Sequence, residues 1–224
     1  MNRNTSLNSV SQETVIHPEF MPYVAVNQKG VSSFLKAIAV NGVGQAITLA
    51  ALGIKAKAMI MPNMSREPRC QLVIPNGAWV NSLKWMNNEK KRQTRFLEVT
   101  CWQISGAVAE FTFDESDHYG NLGLGDIEDS YRFLEAYESA HQVPQASVLA
   151  GCTVVVERFF VQHYDAMDEM ATHLFEQGHL DQHEIDQHLA SVLKVNLGQQ
   201  AMAAFQEPWI EGEADRVHRM FIGV

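Results

Sequence analysis

The chain has 224 residues, 46% of them hydrophobic, and a formal net charge of −9 at neutral pH. That length and composition predict a folded globular protein with a sizeable core. The excess of negative charge repels phosphate backbones, so we expect no direct binding to nucleic acid.

The N-terminal segment, residues 1–29, is polar and lacks the apolar stretch that a secretory signal needs. We therefore expect a flexible tail and a cytoplasmic location. The longest apolar stretch, Ala46–Ile54, is far shorter than the roughly 20 residues that cross a bilayer, so no membrane helix is expected. Cys70, Cys101 and Cys152 are widely spaced and odd in number, which argues against a disulfide framework and against a zinc knuckle.

A long helix is predicted from Ser32 to Leu52, where small and apolar residues follow one another almost without interruption. Ser32 or Ser33 is the expected N-cap, and Gly53 stands where a C′ glycine would end the helix. Because so few of its side chains are polar, this helix should be buried.

The centre of that helix, Asn41-Gly42-Val43-Gly44-Gln45, has the spacing of the H-E-x-x-H motif without its reactive groups. In zinc peptidases the two histidines bind the metal, and the glutamate between them deprotonates the attacking water. Asn41 and Gln45 carry amides, which are poor zinc ligands, and Gly42 has no side chain. Taken alone, the pentapeptide is better explained by close packing of a Gly- and Ala-rich helix, so the interpretation depends on the segments downstream.

The rest of the chain is predicted to be mostly helical. Two strand-like runs, 55–61 and Gln71–Ile74, follow the first helix and indicate a small sheet. Helical periodicity then predicts helices over 91–113, 126–141, 144–163, 164–177, 181–193 and 197–206. The expected fold class is α+β, mostly α, with a small β-sheet after the first long helix.

Three segments carry motifs: Ile104–Glu110, Leu122–Glu128 and 166–185. The first reads I-S-G-A-V-A-E and contains Gly106 and Glu110, and the second is a Gly-rich loop that contains Asp126. In this order, and with Gly44 in the first helix, these segments resemble the peptidase domain of the FtsH-type zinc metallopeptidases. The third segment resembles that family's closing helix pair.

The resemblance implies a helical peptidase-like domain over 30–193, followed by a C-terminal helix and tail over 194–224. It implies that Gly44, Gly106 and Glu110 belong to the family's scaffold motifs and that Asp126 stands at the position of the third zinc ligand. We expect a stand-alone form, because no Walker A motif and no membrane anchor accompany these segments.

The degenerate former active site would consist of Asn41, Gly42, Gln45 and Asp126, and no catalytic residue, metal or other cofactor is expected. The predicted function is a catalytically inactive pseudopeptidase that binds a protein partner and regulates or sequesters it. Two alternatives stay open. One is an anti-CRISPR-like inhibitor, carried by a mobile element, that acts against a host defence complex. The other is a residual metal-dependent hydrolase that uses Asp126 and histidines elsewhere.

Phe205 and Trp209 are candidate anchors for a protein partner or for a second copy of the chain, because aromatic side chains dominate the energetics of interfaces. His179, His183 and His188 are close in sequence, but Gly178–Asp181 is predicted to form a turn with Asp181 as an N-cap. We therefore expect these histidines to face different directions and to hold no metal.

Overall fold

The computed structural model describes residues 28–61, 70–74, 86–113 and 143–222, together with the helical residues 134, 135, 137, 138 and 141. Within this part of the chain, the elements are α1 (Gln28–Ala51), β1 (Ala58–Ile60), β2 (Gln71–Val73), α2 (Glu89–Phe113), α3 (Gln145–Gln162), α4 (Tyr164–Gln177), β3 (His179–Asp181), α5 (Gln182–His188), a 3₁₀ turn (Leu189–Ser191), α6 (Leu197–Ala204) and α7 (Ile210–Ile222). The predicted fold class, α+β and mostly α with a small sheet after the first long helix, is confirmed.

The first helix ends as predicted and begins earlier than predicted. Gly53 has a φ of 77°, its N–H donates to Ala50 O over 2.9 Å, and the N–H of Ile54 donates to Leu49 O over 2.8 Å. This pair of bonds is the Schellman arrangement, which a C′ glycine allows because it has no Cβ. The N-cap prediction was wrong, since α1 starts at Gln28 and already includes Ser32 and Ser33. Glutamine and lysine favour helix well enough for the extra turn.

The core forms where α1 and α2 pack together. α1 also packs against α4, while α2 packs against α3 and α6, and α7 lies against α3. Fully buried side chains from several helices meet there, including Ile47, Leu97, Ile104 and Phe160. Burying each large apolar side chain contributes about 2 kcal/mol before conformational entropy is subtracted, so this helix packing is the main source of stability.

The sheet has the strand order β2-β1-β3, with both neighbours antiparallel to β1. Met59, at the centre of β1, is fully buried and pairs with Leu72 on one side and with Leu180 on the other. The strand β3 corrects the prediction for Gly178–Asp181, which was expected to form only a turn. A run of three residues is too short for the alternation of polar and apolar side chains to indicate a strand.

In the same segment, the prediction that Asp181 is an N-cap is confirmed. The Asp181 side chain accepts hydrogen bonds from the N–H groups of His183 and Glu184, over 2.8 and 3.0 Å, while Glu184 accepts one from the N–H of Asp181. This is a capping box, and it starts α5. Hydrogen bonding to the backbone N–H of Glu184 is the main reason why the pKa of Asp181 lies below its ordinary value.

Two more helical predictions need correction near the C-terminus. The segment 181–193 is not one helix, because α5 ends at His188 and a 3₁₀ turn follows it. α7 was missed and read as a tail, although its side chains alternate between apolar and charged at helical spacing. The segment 114–133, with Asp126 and the first half of the helix predicted over 126–141, lies outside the described residues, while residues 134, 135, 137, 138 and 141 are helical. Within the described part of the chain, no helix is both long enough and apolar enough to cross a membrane.

Candidate functional site

Two glycines allow α1 and α2 to approach each other closely. A Cβ on Gly44 would lie 2.5 Å from the Cβ of Ala109 and 2.8 Å from the backbone oxygen of Ser105. A Cβ on Gly106 would lie 2.5 Å from Oδ1 of Asn41. All three distances are shorter than van der Waals contact, so any larger residue at either position would push the helices apart. The two glycines predicted to belong to the scaffold therefore face the same helix crossing.

A hydrogen-bonded group of side chains, which we call the amide bridge, crosses this contact. It consists of Asn41, Gln45 and Glu110. The Nδ2 of Asn41 donates to Oε1 of Glu110, and the Nε2 of Gln45 donates to Oδ1 of Asn41 over 3.4 Å. Glu110 is only 1% exposed, so its carboxyl group depends on hydrogen bonds within the protein. The Asn41 side chain thus bonds to Glu110 on α2 through its Nδ2 and to Gln45 on α1 through its Oδ1.

The position predicted for the absent general base is filled by another side chain. A Cβ on Gly42 would lie 2.5 Å from Cβ and 2.6 Å from Sγ of Cys70, and 3.3 Å from Cε of Met59. Cys70 comes directly before β2 and Met59 lies in β1, so the sheet packs against α1 at this glycine. A glutamate at position 42 would require the sheet to move.

The Cys70 thiol is not activated as a nucleophile. Burial raises the pKa of Cys70 to about 12, although a hydrogen bond from the backbone at Ile60 lowers it in part. The thiolate is the nucleophilic form of cysteine, so this thiol is unreactive at neutral pH. At this site the described residues offer amide, carboxyl and thiol groups that pack and form hydrogen bonds.

The other two cysteines face each other across α2 and α3. Cys101 and Cys152 are both fully buried, and their thiols form a hydrogen bond. This bond and the burial raise the pKa of Cys101 well above its ordinary value. Both residues are free thiols in the apolar core.

The two predicted anchors lie in different environments. Phe205 is 8% exposed, and a Cβ on Gly151 would lie 3.1 Å from its Cβ, so its ring belongs to the core. Trp209 is 39% exposed, and the guanidinium carbon of Arg158 lies 5.4 Å from the centre of its ring. We therefore keep only Trp209 as a candidate anchor.

Sequence reasoning missed one pair of histidines. Nδ1 of His173, on α4, lies 2.9 Å from Nε2 of His188, at the end of α5. Burial, followed by the neighbouring His173, lowers the pKa of His188, while Glu169 and Glu184 oppose that shift. The two histidines are 15 residues apart on different helices, so no local pattern could have indicated the contact.

Asp126 lies outside the described residues, so its predicted place beside Asn41 and Gln45 stays a prediction. Among the residues that the structure describes, no three His, Cys, Asp or Glu side chains are grouped closely enough to hold a metal ion. No protein-family model matches the chain, and no curated protein matches it at a significant level. The resemblance to FtsH-type peptidases therefore rests on the motifs and their order.

Proposed function

We propose that this protein is a pseudopeptidase, a catalytically inactive relative of the FtsH-type peptidase domain, which binds a protein partner and regulates or sequesters it. The observation that carries the proposal is the contact between Gly42 and Cys70, because it fills the place where a peptidase of this family carries its general base. A cytoplasmic location belongs to the same proposal.

The amide bridge also supports the proposal, because it contains Asn41 and Gln45, the residues at the positions compared with the two zinc-binding histidines. A zinc-binding helix must direct two imidazoles at the ion and keep a position open for water. Asn41 instead points its amide at Glu110 and at Gln45, so it is used within the protein. The two helices are joined by this bond at the place where catalysis would need a free ligand.

Binding is the activity that such a fold retains, and the small sheet supplies a surface for it. In the described part of the chain, β2 and β3 are the outer strands of the sheet. The side chains of Val73 on β2 and Ile60 on β1 are 42% and 40% exposed, respectively. An extended segment of a partner can pair with an outer strand through backbone hydrogen bonds while its side chains contact these apolar groups.

The experiment starts with affinity purification from the source cells, followed by binding measurements with each purified partner. Val73→Glu places a charge on the exposed face of β2, and Ile60→Glu places one at the exposed side chain of β1. We expect both variants to weaken binding about tenfold or more, since burying an unpaired charge at an interface is costly.

Gln199→Glu is the matched control, because it adds the same charge at an exposed residue of α6, away from the sheet. It should bind as the wild type does. The proposal fails if no partner is recovered, or if a recovered partner binds the Val73→Glu and Ile60→Glu variants as tightly as the wild type.

A further inference from the structure

An open cleft of about 460 Å³ lies between α3 and the segment that contains α6 and Trp209. Cavities of roughly 300–1,000 Å³ are the size that holds small ligands or a few residues of a peptide. Apolar and polar side chains share its walls: Val155, Phe159 and Trp209, and Arg158, Gln162 and Glu207. The cleft is therefore suited to a ligand that has an apolar part and a polar group.

Arg158 is the cation of this cleft, and it is available to a ligand. Among the described residues, no carboxylate lies within ion-pair distance of Arg158, and its guanidinium carbon lies 5.4 Å from the centre of the Trp209 ring. The nearby Arg216 on α7 is different, because it donates to both oxygens of Glu157, over 2.9 and 2.7 Å, and to Glu213 over 2.6 Å. One arginine of this surface is thus engaged within the protein, while the other lines the cleft beside Trp209.

The contact with Trp209 favours binding, because it restricts the motion of the Arg158 guanidinium before a ligand arrives. A planar guanidinium held against an aromatic ring loses less freedom when it forms two parallel bonds to a carboxylate. The indole of Trp209, which is 39% exposed, offers an apolar surface beside those bonds. Glu207 adds a negative charge to the same wall, which repels a dianion such as phosphate more strongly than a group with a single negative charge.

We propose that this cleft is a binding site for a carboxylate that carries an apolar side chain next to it, as at the end of a peptide chain. Arg158 binds the carboxylate, and Trp209 contacts the apolar group. Gln162 and Gln200, which both line the cleft, form hydrogen bonds with the peptide backbone. The site is separate from the amide bridge, so the proposal does not depend on whether α1 derives from a peptidase.

The test uses three capped tripeptides with the full-length protein. One is acetyl-Ala-Ala-Phe with a free carboxyl end, the second is the same peptide with an amide end, and the third is acetyl-Asp-Ala-Phe with an amide end. Binding is measured by calorimetry and by the shift of the Trp209 indole N–H signal in nitrogen-15 NMR, which Trp209→Phe assigns among the four tryptophans.

We expect the free acid to bind about tenfold or more tightly than its amide, because the bidentate pair with Arg158 is lost in the amide. Arg158→Gln should remove that difference, and Ala203→Glu, which places a second carboxylate in the cleft wall, should weaken binding of the acid by a similar factor. Arg92→Gln is the matched control, because it changes the net charge equally at an arginine already paired with Glu89 on α2.

The third peptide separates two sources of the same group. If it binds as the free acid does, the site accepts an acidic side chain, and if it binds as the amide does, the site requires a chain end. Both outcomes agree with the proposal. Equal affinities for all three peptides, no binding of any of them, or an Arg158→Gln variant that binds the acid like the wild type would overturn it.

Discussion

The amide bridge between α1 and α2 and the cleft beside α3 use their polar groups in opposite ways. In the amide bridge, Asn41 and Gln45 are half-buried and their amides form bonds within the protein, next to a carboxyl group that is fully enclosed. In the cleft, Arg158 is exposed and its guanidinium contacts the Trp209 ring. The contrast indicates that the first region holds the fold together, whereas the second can exchange solvent for a ligand.

The largest expected effect comes from Asn41→Asp. This change keeps the shape of the side chain, removes the donor to Glu110 and puts an acceptor in its place. Because Glu110 is enclosed, we expect a loss of about 3 kcal/mol in the free energy of unfolding, measured by urea denaturation. Asn196→Asp is the control, since Asn196 caps α6 by accepting a hydrogen bond, a role that aspartate fills equally well. Similar losses in the two variants would contradict the importance of the amide bridge.

Gly44→Ala should have the next largest effect. The added methyl group would collide with Ala109 and with the backbone oxygen of Ser105, and overpacking of this kind costs about 2 kcal/mol. Gly212→Ala is the control, because Gly212 also lies in a helix but has open space around it. That variant should gain up to about 1 kcal/mol from helix propensity. If Gly44→Ala also stabilises the protein, the close contact of α1 and α2 is wrong.

The pair His173 and His188 should give an intermediate, pH-dependent effect. Burial lowers the pKa of His188, so the folded protein binds its proton less readily than the unfolded chain. The stability from this group is fully present above the ordinary pKa of 6.5 and is lost as the pH falls below it. We expect His188→Ala to cost about 1 kcal/mol at pH 7.5 and less at pH 5. A constant loss at both pH values for His188→Ala would contradict the account.

The smallest effect on stability is expected in the cleft. Arg158→Gln removes an exposed cation and its contact with Trp209, so the free energy of unfolding should fall by about 0.5 kcal/mol or less. The same change should abolish the preference for a free carboxylate. A large loss of stability would show that Arg158 serves the fold and would remove the contrast between the two regions.

The sequence predicted those parts of the fold that depend on local chemistry. Gly53 ends α1 because only glycine adopts its backbone conformation easily, and Asp181 starts α5 through a capping box. The third strand escaped prediction, because it is three residues long and pairs with β1 more than a hundred positions earlier in the chain.

The candidate site was predictable only in part. The motifs drew attention to Asn41, Gly106 and Glu110, which the structure brings together. The contact of Gly42 with Cys70 depends on how the sheet docks against α1, which no local pattern contains. Phe205 and Trp209 looked alike as aromatic anchors, but the end of α6 directs one ring into the core and leaves the other at the surface. Burial of this kind is decided by packing between helices.

The most direct test of the central claim, that this fold lacks peptidase chemistry, is the zinc content of the purified protein, measured by mass spectrometry together with cleavage of an unfolded protein substrate. The account predicts well below one zinc ion per chain and no cleavage, in the wild type and in Asp126→Ala alike. One zinc ion per chain, with a cleavage activity that Asp126→Ala abolishes, would contradict it.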